Sequence, residues 1–128
     1  MAPVIYLDTH VVAWLYASGA EALSPRAAEA IARADDLRVS PMVRLELQYL
    51  WEIGRVSDPA VTVLDALHAA LGLTVCSASL PAVVAEAERS PWTRDPFDRL
   101  IVAQASLHGA SLVTKDEAMH RQYVEALW

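Results

Sequence analysis

Four carboxylates stand where a folded chain would deliver them to one place. Asp8 follows the apolar run Val4-Ile5-Tyr6-Leu7, and Asp116 comes shortly after a second apolar run, Leu112-Val113. Asp98 opens a nearly all-apolar stretch, Leu100 to Ala105, and Glu46 falls on the apolar side of a helical pattern. Hard oxygen donors of this kind suit Mg²⁺ or Mn²⁺. Gathered carboxylates repel one another, so such a site is costly alone and favourable with a cation. Glu46 carries the strongest signal. At helical spacing it neighbours Met42, Val43, Tyr49 and Leu50, and it lies almost opposite the polar stripe Arg44, Gln48, Glu52 and Arg55. A carboxylate there loses hydration, which a cation, an arginine or a hydrogen-bond network must offset.

Other chemistries weigh less. His10, His68, His108 and His120 make no zinc spacing, and His10 belongs to the first helix or the rim of the site. One cysteine, Cys76, forms neither a disulfide framework nor a thiolate cluster. There is no glycine-rich phosphate loop, and Ser77, Ser79 and Ser111 lack a nucleophile elbow. Asp8 with Thr114 and Lys115 also suits an aspartate that accepts a phosphoryl group. Against this, His10 stands where a haloacid-dehalogenase-like phosphatase shows a second aspartate, and a receiver domain places its aspartate later.

The elements that must position these acids alternate. Val4–Leu7 reads as a strand covered on both faces, and a central one. A short helix over His10–Tyr16 follows, closed by Ser18-Gly19. Ser24-Pro25 and Ser40-Pro41 each read as an N-cap with proline at the first helical position. The first helix they open runs to about Ala34 and is broken by Asp35-Asp36. The second ends at Gly54, and Leu37–Val39 between them predicts a short strand. Helices are further expected over Ala60–Leu71 and Pro81–Arg89, with a short strand or extended segment over Leu73–Cys76. Glu86 and Glu88 are expected to face solvent. Asp95-Pro96-Phe97-Asp98 is a helix entrance in which Asp95 caps and Asp98 sits at the third position. Gly109 ends that helix, Ala110–Val113 makes a third strand, Glu117–Arg121 a short helix or turn, and Val124–Trp128 a terminal strand. Asp8 and Asp116 thus occupy equivalent places beyond strand ends, where parallel sheets put their ligands.

The chain has 128 residues, of which 55% are hydrophobic and 20% charged. This fits one domain over 1–128, with neither the charge excess of disorder nor an apolar run able to span a bilayer. No secretory signal is apparent, so a cytoplasmic setting is expected. The net charge of −6 favours a basic protein partner, yet its distribution is uneven. Residues 1–88 carry five arginines against eleven acids, whereas residues 89–128 carry five basic and five acidic groups. Arg89, Arg94, Arg99, Lys115 and Arg121 are therefore available to a phosphate backbone.

Together, Tyr6-Leu7-Asp8-Thr9-His10, the Ser40–Glu46 passage, Arg94-Asp95-Pro96-Phe97-Asp98-Arg99-Leu100-Ile101 and Leu112-Val113-Thr114-Lys115-Asp116 resemble the PIN-domain ribonucleases. Among these the likeness is to the VapC-like toxins of toxin–antitoxin pairs, and it extends over nearly the whole chain. The resemblance implies a three-layer α/β/α sandwich with a mostly parallel sheet. It also implies a metal-dependent endoribonuclease in which Asp8, Glu46 and Asp98 hold Mg²⁺ or Mn²⁺, with Asp116 completing the site directly or through water. Asp95 becomes an accessory acid. Thr114 is assigned to orienting water or substrate, and Arg94, Arg99 and Lys115 to touching phosphates. PIN toxins are commonly dimers, and an antitoxin tail usually covers their acidic groove. The modest basic content departs from this picture, because RNA then needs a local positive path around a negative pocket. A catalytically idle PIN-like module that binds RNA or protein is the alternative.

Overall fold

In the computed structural model, which describes residues 3–128, strands and helices alternate. The elements are β1 (Val4–Leu7), α1 (Thr9–Ser18), a 3₁₀ turn (Gly19–Ala22), α2 (Pro25–Arg33), β2 (Asp36–Val39), α3 (Pro41–Glu52) and α4 (Ala60–Leu71). They continue as β3 (Thr74–Val75), α5 (Leu80–Ala87), α6 (Pro96–Leu107), β4 (Ser111–Val113), α7 (Glu117–Gln122) and β5 (Ala126–Leu127). Ser24, Ser40 and Asp95 cap α2, α3 and α6 through their side chains, with a proline in the first turn of each. Ser79 does the same for α5, which starts one residue before the expected Pro81.

The five strands lie in the order β3-β2-β1-β4-β5, and every neighbouring pair is parallel. The sheet is therefore wholly parallel rather than mostly so. Strand order reverses between β1 and β4. Right-handed crossovers on either side of that reversal send their helices to opposite faces, giving the expected α/β/α sandwich. Alternation along β1 points Tyr6 away from the face of Ile5 and Leu7, and Tyr6 stacks on His108 at the end of α6. One core cluster takes in Ile5 and Leu7 of β1, Val11 and Val12 of α1, Val43 and Leu47 of α3, Ile101 of α6 and Leu112 of β4.

Three local differences have physical reasons. The helix ends before Asp35-Asp36 as expected, but β2 starts one residue earlier than Leu37, at Asp36, which Arg38, two residues along the same strand face, pairs at 2.6 Å. On α3 the buried stripe is Val43, Leu47 and Leu50, while Tyr49 is 51% exposed. At about 100° per residue, this sets Glu46 on the flank of the apolar face rather than at its middle. Glu86 is half-buried, not solvated, and accepts from the Ser106 hydroxyl at 3.0 Å.

A second polar group lies beneath α6. The buried Tyr6 hydroxyl donates to Cys76 Sγ at 3.1 Å and lies 3.1 Å from His108 Nδ1. Ser40 donates to Gln104 Oε1 at 3.1 Å.

Candidate metal centre

β1 and β4 pair in the register Leu7↔Val113, which puts Asp8 beside Thr114 at the carboxyl end of the sheet. The two strands diverge there toward different neighbours, leaving the crevice that open parallel sheets use for ligands. Asp8 is the most firmly held acid. Its backbone N–H donates to Val113 O at 3.0 Å, its Oδ1 accepts from Thr9 N–H at 2.8 Å, and its Oδ2 accepts from the Thr114 hydroxyl at 2.7 Å. In doing so it caps α1, so this helix starts one residue earlier than the sequence pattern gave.

The other acids arrive from separate elements. Glu46 comes from the flank of α3 and accepts from the Thr9 hydroxyl. Asp95 caps α6 by accepting from Phe97 N–H at 2.8 Å, and Asp98 stands in the first turn of the same helix. Asp116 caps α7 through Met119 N–H at 2.9 Å, while its own N–H donates to Thr114 Oγ1 at 3.1 Å. These five acids line one 480 Å³ cleft together with His10, Trp14 and Lys115.

The electrostatics follow from having so many carboxylates and so little positive charge. Burial, then repulsion from Asp95, Asp8, Asp116 and Glu46, pushes the Asp98 carboxyl up to about 7. Burial raises Glu46 as well, against the opposing bond from Thr9. Burial also raises Asp8, against its bonds from Thr114 and Thr9. Among the described residues no ion pair reaches any of the five, since the ion pairs formed are Arg33–Glu29, Arg38–Asp36 and Arg89–Glu86.

Whether this donor set fits a divalent cation can be judged from its chemistry. The acids are hard oxygen donors, and burial, with repulsion between them, raises three of the carboxyls, so ionising them together is costly without a counter-ion. As the side chains stand, no three histidine, cysteine or acidic residues among those described close on a common point. Hydrogen bonds hold Asp8, Glu46 and Asp116 to Thr9, Thr114 and Met119, and repulsion keeps the acids apart. The donors fit the ion by their chemistry, and they line one cleft without forming a closed cage.

The remaining residues picked out in the sequence divide clearly. Lys115 lines the cleft. Thr114 is fully buried with its hydroxyl committed to Asp8, so it orients that carboxylate from behind. Arg94 is exposed outside the cleft and donates to Pro91 O at 3.0 Å. Arg99 is half-buried, also outside the lining, and its Nε has no partner among the described residues. Two residues had been given no role. Thr9 holds Glu46, and its only advance signal was a hydroxyl directly after Asp8. Trp14 walls the cleft, and on an apolar helix it reads simply as core.

Comparison with known proteins bears on the family and the fold. The PIN domain family model matches residues 5–125. Ribonuclease VapC22 of Mycobacterium tuberculosis (strain ATCC 25618 / H37Rv) is 37% identical over 117 residues, covering 90% of this chain and 88% of that protein. Among solved structures, VapBC2 from Rickettsia felis, bound to a DNA fragment from its promoter, superposes with a TM-score of 0.65 at 19% identity. That superposition covers 98% of this chain and 99% of the other. A toxin–antitoxin complex from Klebsiella pneumoniae gives 0.60 at 14% identity, covering 95% and 94%. At these identities the two structures speak to the fold.

Proposed function

The chain belongs to the PIN-domain family, and from that premise we propose that it is a metal-dependent endoribonuclease acting as a toxin restrained by an antitoxin protein. One observation carries the reading: five carboxylates drawn from four parts of the chain line one cleft, and no ion pair reaches them. The identity to a protein named a ribonuclease supports the activity. In this proposal Asp8, Glu46 and Asp98 hold Mg²⁺ or Mn²⁺, Asp116 completes the site directly or through water, and Asp95 is an accessory acid. A cation bound there supplies Lewis-acid stabilisation of the phosphoryl oxygens and an activated water.

The chain's own groups have separate tasks. Thr9 N–H and the Thr114 hydroxyl fix Asp8, one on each oxygen. The Thr9 hydroxyl holds Glu46. Asp98, with its carboxyl near 7, keeps a proton in the metal-free cleft below neutrality and releases it as positive charge arrives. Lys115 offers an ammonium to the phosphate. Arg94 and Arg99, away from the lining, are reserved for more distant phosphates at most.

A protein partner and self-association belong to the same proposal. Leu45, Tyr49, Trp51 and Ile53 are exposed along α3 and its end, which suits burial by an antitoxin or a second copy. Of the two superposed structures, that from Klebsiella pneumoniae is a toxin–antitoxin complex by its own description. Among the described residues no helix is long and apolar enough to cross a membrane.

A second reading, a catalytically idle module that binds RNA or protein, is favoured by the absence of a closed donor cage among the described residues. One experiment separates the two. A mixed small-RNA pool is incubated with antitoxin-free wild type and Asp98→Ala in Mg²⁺, Mn²⁺ or EDTA. Discrete cuts that vanish with EDTA and in the variant are expected. Folded wild type that binds RNA and never cuts it selects the idle module.

A further inference from the structure

The acidic cleft repels the phosphates it is proposed to act on, so a strand needs a favourable path into it. The wall between the cleft and an adjoining 300 Å³ pocket supplies one. His10 and Trp14 line both cavities. Their rings are tilted against each other at 6.0 Å, and Trp14 meets Trp128 edge-on at 5.8 Å. Lys115 Nζ sits 5.9 Å from the centroids of both indoles, within cation–π range, and among the described residues it forms no ion pair with the acids beside it. Arg55, exposed and likewise outside the ion pairs, lines the second pocket. Two cations outside the ion pairs of the described residues therefore flank an aromatic step that leads out of the cleft.

We propose that Trp14 is the base-stacking platform of a single-stranded RNA track running from the acidic cleft into the adjoining pocket, with Lys115 and Arg55 taking the phosphates on either side. The inference rests on the ribonuclease reading and adds to it the residue that positions the strand. Every nucleobase has a π-face, so a stacking platform accepts unpaired strands with little sequence preference, whereas a duplex keeps its bases out of reach. Two separated cations recognise a backbone and contribute salt-dependent affinity without reading sequence.

The test is binding of a fluorescent eight-nucleotide single strand in EDTA, where nothing is cut, followed by anisotropy. Trp14→Leu keeps apolar packing against Trp128 but removes the ring face, and Trp14→Phe restores a smaller one. Trp14→Leu is expected to weaken binding by about tenfold or more, with Trp14→Phe recovering most of it. An abasic nucleotide moved along the strand should weaken wild-type binding at one position, and Trp14→Leu should be indifferent to that substitution. Arg55→Ala should lower the slope of log affinity against log salt by about 0.7. If wild type binds and cuts RNA while Trp14→Leu feels every abasic substitution as wild type does, the track lies elsewhere and only the ribonuclease reading survives. Wild type that neither binds nor cuts any RNA overturns both.

Discussion

The acidic cleft and the Asp36–Arg38 pair treat the same functional group in opposite ways. Asp36 Oδ2 accepts from Arg38 at 3.0 and 2.6 Å, and that bond holds its carboxyl below the usual range. Asp98 has no such partner, and burial with four neighbouring acids lifts it to about 7. Nearby, Tyr6, Cys76 and His108 likewise answer one another's polar atoms, and burial pushes the Tyr6 hydroxyl up. Asp36 is matched by a cation of the chain itself. The cleft's carboxylates accept hydrogen bonds but meet no cation in an ion pair among the described residues, and the charge they concentrate is what a bound cation would relieve.

This contrast can be broken by substitution, beginning with the cleft. Asp8→Ala should lower metal-dependent RNA cleavage by about 10³-fold or more, since it removes several kcal/mol of charge stabilisation; gel-resolved cleavage rates measure it. Thr114→Val should lower cleavage by about 10- to 100-fold, the usual cost of losing a group that orients a ligand. Thr114→Ser should recover most of that loss, because the donor to Asp8 is kept. Recovery absent in the serine variant would mean that packing, not the hydroxyl, matters there.

Stability tests sharpen the comparison further. The folded Asp98 binds its proton more tightly than the ordinary value of 3.8 implies. The native state therefore carries more protons than the unfolded one between 3.8 and about 7, and metal-free stability falls as pH rises through that window. In EDTA at pH 8, Asp98→Asn should melt a few degrees above wild type, and added Mg²⁺ should then stabilise it less. Asp36 has the opposite sign: its stabilisation is present above the ordinary carboxylate value and lost as pH falls. Because the pair is partly solvated, Asp36→Asn should cost under about 1 kcal/mol in urea unfolding and leave cleavage unchanged.

Much of this was legible in the residues. Asp95-Pro96 announced a capped helix and forms one, and the apolar runs before Asp8 and Asp116 are neighbouring parallel strands. Glu46 showed itself by helical spacing, although Tyr49 was wrongly set beside it in the core, because an aromatic residue cannot announce its own exposure. Thr114 and Trp14 were harder for a shared reason. A hydroxyl that bonds a carboxylate 106 residues away, and an indole meeting Trp128, acquire meaning only through contacts between distant segments. Neither Arg94 nor Arg99 lines the cleft: Arg94 precedes α6, and Arg99, adjacent to Asp98 on that helix, faces elsewhere.

The central position of β1 also has a consequence in time. β2 can join it early, but its other neighbour, β4, is made after nearly every other element. During synthesis, Asp8 waits without the Thr114 hydroxyl and without Asp98 and Asp116, and loop closure over so long a span is slow. The cleft is thus assembled late in the order of these elements, and a chain made only as far as α5 holds just two of its five carboxylates.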